Sequence, residues 1–256
     1  ARWTPTHVEE SWRAVAGLAD GVDQRKLAFK RLAARDSRLR LVLAGKAAAT
    51  ATPASGKLRI GVLKTYVLDD LDGHVAADFA RSLKRLEGQG HSISDVALAG
   101  LEELPSLLAN GGLVAAEAWK LHQHRIEARE AEYDPRVASR MRFGARITPE
   151  GEAETRVRRA ALIRRFAEVA ASFDVIACPT VPVIPPAVAA LAEEADYRRI
   201  NGQCLRNTYV FNFLDACAIS LPMQAEGAAP TGLMLARPNG GDAGLFAAAE
   251  AVYPSH

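Results

Sequence analysis

From residue 57 to the end of the chain, short apolar runs alternate with longer amphipathic stretches, and no other feature limits the accessible folds so strongly. Residues 58–63 (LRIGVL) predict a strand, residues 73–86 an amphipathic helix, and residues 91–98 (HSISDVAL) a second, half-buried strand. A strand, a helix of about 14 residues and another strand are the usual crossover unit between parallel strands. The sequence therefore predicts an α/β fold over this part of the chain.

The rest of the region continues the same alternation. Helices are predicted around 101–109 and 112–131, from Asp134-Pro135, from Thr148-Pro149 to about Ser172, around 197–213, and after a cap at Asp242. Strands are predicted at 173–178 (FDVIAC), 216–221 (ACAISL) and 231–237 (TGLMLAR). Together these elements predict a mixed β-sheet that is covered by helices.

The first 56 residues have a different character. Helical periodicity predicts two helices, over 6–20 and 25–43, and small or polar residues then fill 47–56. The sequence therefore predicts a helical arm and linker over 1–56, followed by the α/β domain over 57–256.

The charge balance and the cysteine count exclude several classes of protein. The chain has 32 basic and 30 acidic side chains, so its net charge is +2, and nucleic-acid binding normally draws on a surplus of Lys and Arg. No apolar run approaches the ~18 residues of a membrane span, and no apolar leader segment is visible. Three widely spaced cysteines do not form a disulfide framework. We therefore expect a cytoplasmic protein with neither nucleic acid nor membrane as its partner.

Two arginine-rich stretches leave an alternative open. One runs from Arg25 to Lys46, and the other runs from Arg156 to Arg165 with glutamates interspersed. Binding to nucleic acid or to an anionic membrane is one interpretation of such stretches. Solvated helix faces are the other interpretation, which we favour.

The sequence predicts no metal site and no cofactor. His122 and His124 are two positions apart on a predicted helix, so they point to different faces and cannot share one metal ion. The sequence contains no H-E-x-x-H and no C-x-x-C motif. Gly240-Gly241 precedes a short helix, but Asp242 at its start would repel a phosphate group.

The strand predicted at 173–178 ends in PTVPVIPP, residues 179–186. Proline fixes φ and removes an N–H donor, so this exit is stiff. A stiff loop at the carboxyl end of a buried strand lies where open α/β sheets bind ligands, and Thr180 would offer a hydroxyl there. A purely structural exit from the strand is the alternative interpretation.

Six segments follow one another along the chain: LRIGVL at 58–63, RMRFG at 140–144, FDVIACPTVPVIPP at 173–186, NFLDACAISLP at 212–222, APTGLMLAR at 229–237 and GGDAGLFAAAEAV at 240–252. In this order they resemble the C-terminal half of the amidase signature family. Each segment alone is weak evidence, and their order and spacing carry the resemblance. It does not extend to residues 1–56.

The resemblance implies hydrolysis of a C–N amide bond in a small carboxamide by a serine nucleophile, a second serine and a lysine. The family's Gly-Gly-Ser-Ser-Gly-Gly-Ser type of signature does not occur in the 256 residues, and no two serines are adjacent. Lys57, beside Ser55-Gly56, falls in the predicted linker. No catalytic residue can therefore be assigned, and we expect this chain alone to be inactive.

The resemblance also implies that the chain retains the wall of a substrate pocket. Arg140 matches an arginine that binds a substrate carboxylate in some members, and a surface ion pair is the alternative role. Pro179 and Thr180 match the loop that borders the pocket, and Asn212 matches an asparagine expected to hold backbone together rather than to touch substrate. Residues 215–218 read Asp-Ala-Cys-Ala where many relatives have Gly-Leu-Pro-Ala, which weakens any transfer of substrate preference.

Two functions from different classes remain open on the sequence. The first is an amidase-family protein whose catalytic half is absent from this chain and which acts on a small amide only when completed by it. The second is a non-catalytic binding or assembly module, in which the apolar surface left uncovered associates with a second copy or a partner chain. A cysteine-based activity at Cys178 or Cys217 is disfavoured, because apolar strand surroundings raise the pKa of a thiol.

Overall fold

The computed structural model describes residues 56–252. The helices predicted over 6–20 and 25–43 lie outside the described residues, as does the linker apart from Gly56. The boundary between the arm and the α/β domain therefore stays a prediction.

The described residues form five strands and seven α-helices, joined by short turns of 3₁₀ helix. The strands are β1 (Arg59–Leu63), β2 (Ser92–Val96), β3 (Val175–Pro179), β4 (Ala216–Pro222) and β5 (Gly232–Pro238). The helices are α1 (Gly73–Gly88), α2 (Leu104–Leu107), α3 (Gly112–Arg129), α4 (Pro135–Arg142), α5 (Pro149–Ala170), α6 (Glu194–Phe213) and α7 (Asp242–Val252).

The strands form one mixed sheet in the order β2-β1-β3-β5-β4. β1 is parallel to both β2 and β3, whereas β5 is antiparallel to β3 and to β4. The predicted parallel crossover from β1 through α1 to β2 is confirmed, and the α/β fold with a mixed, helix-covered sheet is confirmed with it.

Both faces of the sheet are covered, and each has its own apolar core. The core on one face joins β3 and β5 to α5 and α6, where Phe166 and Phe211 meet edge to face with ring centroids 6.0 Å apart. The core on the other face joins β1, β3 and β5 to α1 and α7. β3 is the central strand of the five, and because helices cover both faces of the sheet it is buried along its whole length.

The starts of the helices follow the capping signals in the sequence. Thr148 accepts a hydrogen bond at Oγ1 from the N–H of Gly151 (3.1 Å), and Pro149 occupies the first turn of α5. Asp134 accepts in the same way from the N–H of Arg136 (2.8 Å) at the start of α4. Asp242 is predicted as the N-cap of the last helix, but it is the first residue of α7. The preceding residue, Gly241, occupies the cap position, and its carbonyl accepts a hydrogen bond from the N–H of Leu245.

β3 starts two residues later than predicted. Phe173 still belongs to the turn that follows α5, since its N–H donates to the carbonyl of Ala170 (3.0 Å). Asp174 instead accepts from the main-chain N–H of Arg59 (2.7 Å) and from its guanidinium. This pair joins the starts of β1 and β3.

The arginine-rich face of α5 is solvated, as its interspersed glutamates suggest. Arg156 pairs with Glu152 and Glu117 at 2.8 Å, and Arg158 pairs with Glu154 at 2.6 Å. The other basic stretch, from Arg25 to Lys46, lies outside the described residues. Of the helices in the described part of the chain, none combines the length and apolar character of a membrane span.

Candidate active-site wall

The candidate site lies at the carboxyl end of β3, beside the first residue of β5. β3 ends at Pro179, and the N–H of Thr180 donates to the carbonyl of Gly232 (2.7 Å). This bond continues the pairing of β3 with β5 by one residue, so the position of Thr180 is set by the sheet. Pro179 and Thr180 thus lie at the carboxyl end of a buried strand, where the sequence predicts them.

Thr180 and Ser220 bring two hydroxyls together across the end of β5. Their Oγ1 and Oγ atoms lie 2.6 Å apart, which is the distance of a short hydrogen bond. Gly232 lies between them, and a Cβ at this position would be 2.5 Å from Ser220 Oγ and 2.6 Å from Thr180 Oγ1. Glycine is therefore the residue that allows the two hydroxyls to meet.

The hydroxyl pair borders a cleft of about 420 Å³ with predominantly apolar walls. The cleft is lined by Thr180, Val181, Val183, Ile184, Pro185, Cys204, Ser220, Pro230, Thr231 and Gly232. The stiff 179–186 segment supplies one wall, so its prolines shape a concave surface as well as ending a strand. Such a cleft offers a ligand a largely apolar surface with two hydroxyl groups at one position.

A buried asparagine holds the end of β3 in place. Asn207 on α6 is fully buried, and its Nδ2 donates to the carbonyls of Pro179 (2.8 Å) and Val67 (3.0 Å). Its Oδ1 accepts from Nε of Arg206 (3.1 Å). One side chain therefore links α6 to the segment after β1 and to the residue before Thr180.

Asn207, and not the predicted Asn212, holds the backbone together here. Asn212 is exposed, and it is its main-chain carbonyl that accepts from the N–H of Asp215 (3.2 Å). The expectation that Asn212 holds backbone together through its side chain is therefore wrong. The helical spacing of Asn207 with buried Ile200 and Phe211 was the available signal, since it places an amide on the apolar face of α6.

Arg140 lies apart from the cleft lining, near the end of α4. Its side chain is exposed, and Nε donates to the carbonyl of Arg136 (3.3 Å). Among residues 56–252 it forms no ion pair, so the alternative role of a surface salt bridge is not found there. Arg136, one turn earlier, is the arginine that pairs with an acid, Glu194 at 3.2 Å.

The three thiols differ in their surroundings. Burial raises the pKa of Cys178 far above its ordinary value, and its Sγ donates to the carbonyl of Pro179 (3.3 Å). Burial, and then the nearby Asp242 carboxylate, raise the pKa of Cys217 as well. Both thiols are therefore poor nucleophiles, as expected, and Cys204 is the cysteine that reaches the cleft.

Among the residues that the structure describes, neither a metal-binding cluster nor a general base lies at the cleft. Within residues 56–252, no three His, Cys, Asp or Glu side chains are close enough together to hold a metal ion. His122 lies 3.2 Å from the hydroxyl of Tyr133, far along the chain from the cleft residues. No Lys or His lines the described cleft, so its two hydroxyls lack the base that a serine nucleophile requires.

Comparisons with known proteins identify the fold and the family. The sequence matches the family model described as Amidase over residues 6–246, so the expectation that the resemblance does not extend to residues 1–56 is wrong. The 2-amino-5-chloromuconic acid deaminase of Comamonas testosteroni is 32% identical over 194 residues, which are 74% of this chain and 41% of that protein. The chain thus spans less than half the length of this curated relative.

Solved structures agree with the sequence match. The S177A allophanate hydrolase of Kluyveromyces lactis superposes with a TM-score of 0.67 at 18% identity, over 77% of this chain and 32% of that chain. A structure described as an amidase gives 0.64 at 20% identity, over 77% and 45% of the two chains. A 6-aminohexanoate cyclic dimer hydrolase gives 0.60 at 19% identity, over 78% and 46%. With a family match over most of its length and this shared fold, the chain belongs to the amidase family.

Proposed function

We propose that this chain forms the substrate-binding wall of an amidase that hydrolyses the C–N bond of a small carboxamide. The observation that carries the proposal is the pair of hydroxyls of Thr180 and Ser220, 2.6 Å apart, at the edge of an apolar cleft of about 420 Å³. Family membership supplies the reaction class, and the cleft supplies a place for the substrate.

The hydroxyl pair matches the hydrogen-bonding groups of a carboxamide. Two hydroxyls carry two hydrogens, and the bond between Thr180 and Ser220 uses one of them. The second hydrogen is left for the carbonyl oxygen of a ligand, and the remaining lone pairs can accept from its NH₂ group. The apolar walls would take the rest of a small organic substrate.

The catalytic groups are proposed to come from residues outside this chain. No serine pair of the family's kind occurs in the sequence, and no Lys or His among residues 56–252 lines the cleft beside the two hydroxyls. Binding without a nucleophile gives little rate enhancement, so we propose that the chain alone binds amides without turning them over.

Arg140 lies outside the cleft lining, and its role in binding a substrate carboxylate is proposed from the family resemblance. Its guanidinium is exposed and is not paired with an acid among the described residues, so it is available for a bidentate ion pair. The curated relative from Comamonas testosteroni is named for an acid, 2-amino-5-chloromuconic acid. A carboxylated substrate is therefore compatible with this chain, and Arg140 is the residue we propose for its recognition.

We also propose a cytoplasmic location for the protein. All three cysteines, Cys178, Cys204 and Cys217, are free. Unpaired thiols of this kind are typical of reducing compartments.

The binding proposal can be tested by titrating ¹⁵N-labelled chain with acetamide and benzamide and recording amide chemical shifts. We expect saturable shifts at Thr180, Ser220 and Gly232, which the nearly isosteric Thr180→Val removes. Thr208→Val is the matched control, because the Thr208 hydroxyl donates to the carbonyl of Leu205 within α6 and lies outside the cleft lining. Shifts that persist in Thr180→Val, or no shifts at all, would contradict the proposal.

A separate assay tests the absence of catalysis. The purified chain is incubated with the same amides while ammonia release is followed, and a fluorophosphonate probe is used to trap any reactive serine. We expect neither turnover nor labelling. Turnover would show that the nucleophile lies in this chain, whatever the outcome of the binding titration.

A further inference from the structure

An aspartate lies on the buried face of α1. Asp78 is 7% exposed, and it shares this face with Val75, Phe79 and Leu86, which pack into the core between α1 and the sheet. The spacing places Asp78 where an amphipathic helix ordinarily carries an apolar side chain. Burial of a carboxylate is costly unless hydrogen bonds and charge compensate for it, so the partners of Asp78 indicate what it holds in place.

The two carboxylate oxygens of Asp78 have different partners. Oδ1 accepts from the guanidinium of Arg81, which lies one turn later on the same helix and is exposed. Oδ2 accepts from Oγ1 of Thr231 at 2.5 Å. The first contact compensates the charge from within α1, whereas the second joins α1 to the residue immediately before β5.

Thr231 lies at the border of the candidate cleft. It is one of the residues that line the cleft, and it directly precedes Gly232, which separates the hydroxyls of Thr180 and Ser220. Side chains of consecutive residues in an extended chain point to opposite faces. A Cβ at position 232 would meet the two hydroxyls, whereas the side chain of Thr231 reaches Asp78. Asp78 therefore holds the end of β5 from the face opposite to the hydroxyl pair.

The other hydrogen bonds of Thr231 stay within the hairpin formed by β4 and β5. Its N–H donates to Oε1 of Gln224 (3.2 Å), and its carbonyl accepts from the N–H of Met223 (3.1 Å). Within residues 56–252, Asp78 is therefore the hydrogen-bonding partner that ties Thr231 to another element. Without this bond, the end of the hairpin can shift relative to α1 and move the cleft lining with it.

We propose that Asp78 is a positioning residue for the amide cleft. By fixing Thr231 it sets the place of Gly232, and the bond from the N–H of Thr180 to the carbonyl of Gly232 (2.7 Å) carries that position to the first hydroxyl. Asp78 does not line the cleft, so it acts through Thr231. This inference rests on the proposed function, because it takes the cleft as the place where the amide binds.

The first test measures acetamide binding to the full-length, ¹⁵N-labelled chain. Asp78→Ala should raise the dissociation constant of acetamide about three- to tenfold, the range expected when one hydrogen bond that orders the site is lost. Asp78→Asn keeps an oxygen that can accept from Thr231, so it should retain most of the affinity. Ser82→Ala is the matched control, because Ser82 is buried one turn later on the same face of α1 and lies outside the cleft lining.

A double-mutant cycle tests whether Asp78 acts through Thr231. Thr231→Val removes the donated hydrogen with little change in shape, and it should weaken acetamide binding about as much as Asp78→Ala does. The double variant should then bind no more weakly than either single variant, because both substitutions break the same bond. Losses of affinity that add in the double variant would contradict action through Thr231.

A measurement without ligand separates positioning from general stability. Hydrogen exchange is followed at the amide of Thr180 and at the amides of β1 in the centre of the sheet. Asp78→Ala should speed exchange at Thr180 more than in β1, whereas a substitution that only destabilises the fold speeds both alike. Ser82→Ala should show no such difference, and circular dichroism of every variant confirms that it is folded.

The outcomes decide between this proposal and the one on which it rests. Exchange at Thr180 that changes no more than exchange in β1, or an unchanged acetamide dissociation constant in Asp78→Ala, would mean that Asp78 only supports the fold. An equal loss of affinity in Ser82→Ala would also overturn the proposal. If the unsubstituted chain binds no acetamide, the proposed function fails, and the exchange at Thr180 alone then decides whether Asp78 positions this end of the sheet.

Discussion

Asn207 donates a hydrogen bond of 2.8 Å to the main-chain carbonyl of Pro179, the last residue of the most deeply buried strand. The same amide group reaches the carbonyl of Val67 at 3.0 Å. Thr180, the first cleft residue, follows Pro179 directly. The shape of the cleft therefore depends on an asparagine that does not line it.

Asn207→Ala should be among the more destabilising single substitutions in the α/β region. It leaves the carbonyl of Pro179 with only the weak thiol donor of Cys178 and the carbonyl of Val67 with only the Arg206 guanidinium, which should lower the free energy of unfolding by about 1–3 kcal/mol. Urea unfolding followed by circular dichroism measures the change. Asn212→Ala is the matched control on the same helix, and its exposed side chain predicts a change within about 0.5 kcal/mol. Equal effects of the two variants would contradict the role given to Asn207.

Gly232→Ala should destabilise the protein and separate the hydroxyls of Thr180 and Ser220. The added Cβ would lie 2.5 Å from Ser220 Oγ, so the strand ends must move apart at a cost of about 1–3 kcal/mol. Gly202→Ala is the control, because a Cβ there meets nothing within 4 Å in the middle of α6. This control should stabilise the helix by about 0.5–1 kcal/mol, and thermal unfolding of both variants checks the opposite signs.

His91 should make stability depend on pH on the acid side of neutrality. Partial burial, then Lys57 and Arg85, lower the pKa of His91, and its Nδ1 accepts from the N–H of Leu58 (3.1 Å). The folded state thus favours the neutral ring. Its contribution is complete above the unfolded pKa of about 6.5 and is lost as the pH falls from there through the lowered folded pKa. Urea midpoints at several pH values should show this slope, and His91→Asn should flatten it; an unchanged slope in the variant would assign it to another group.

The cysteines should react with a maleimide in a fixed order. Cys204 is partly exposed in the cleft, Cys217 is half-buried with a raised pKa, and Cys178 is completely buried with a pKa raised further. We expect Cys204 to be labelled first and Cys178 only after denaturation, as judged by mass spectrometry of peptides. Early labelling of Cys178 would mean that the centre of the sheet opens readily.

The helices and strands could be predicted from the sequence because the patterns that specify them are local. Apolar runs and caps such as Thr148-Pro149 depend on neighbouring residues, and these predicted the strands and the long α5 within a few residues. The position of β5 between β3 and β4 depends on pairings distant in the chain, and no local pattern in the sequence specifies it.

The site was predicted only in part for the same reason. Thr180 could be found because proline-rich exits from buried strands have a recognisable sequence. Its partner Ser220 and the enabling Gly232 are ordinary strand residues in the sequence, and only the antiparallel register brings them together. The motif match points to Asn212, whereas the helical spacing with Ile200 and Phe211 marks Asn207 as the buried amide.

The order of the strands also governs how the chain can assemble during synthesis. Of the five described strands, β5 is the last to be made, yet it separates β3 from β4 and is the described neighbour through which β4 joins the sheet. A growing chain on the ribosome therefore holds β3 with one side open, and β4 has nowhere to dock, until residues 232–238 have emerged. Rare codons or chaperone sites placed shortly before β5 would prolong the interval in which both strands are exposed to aggregation.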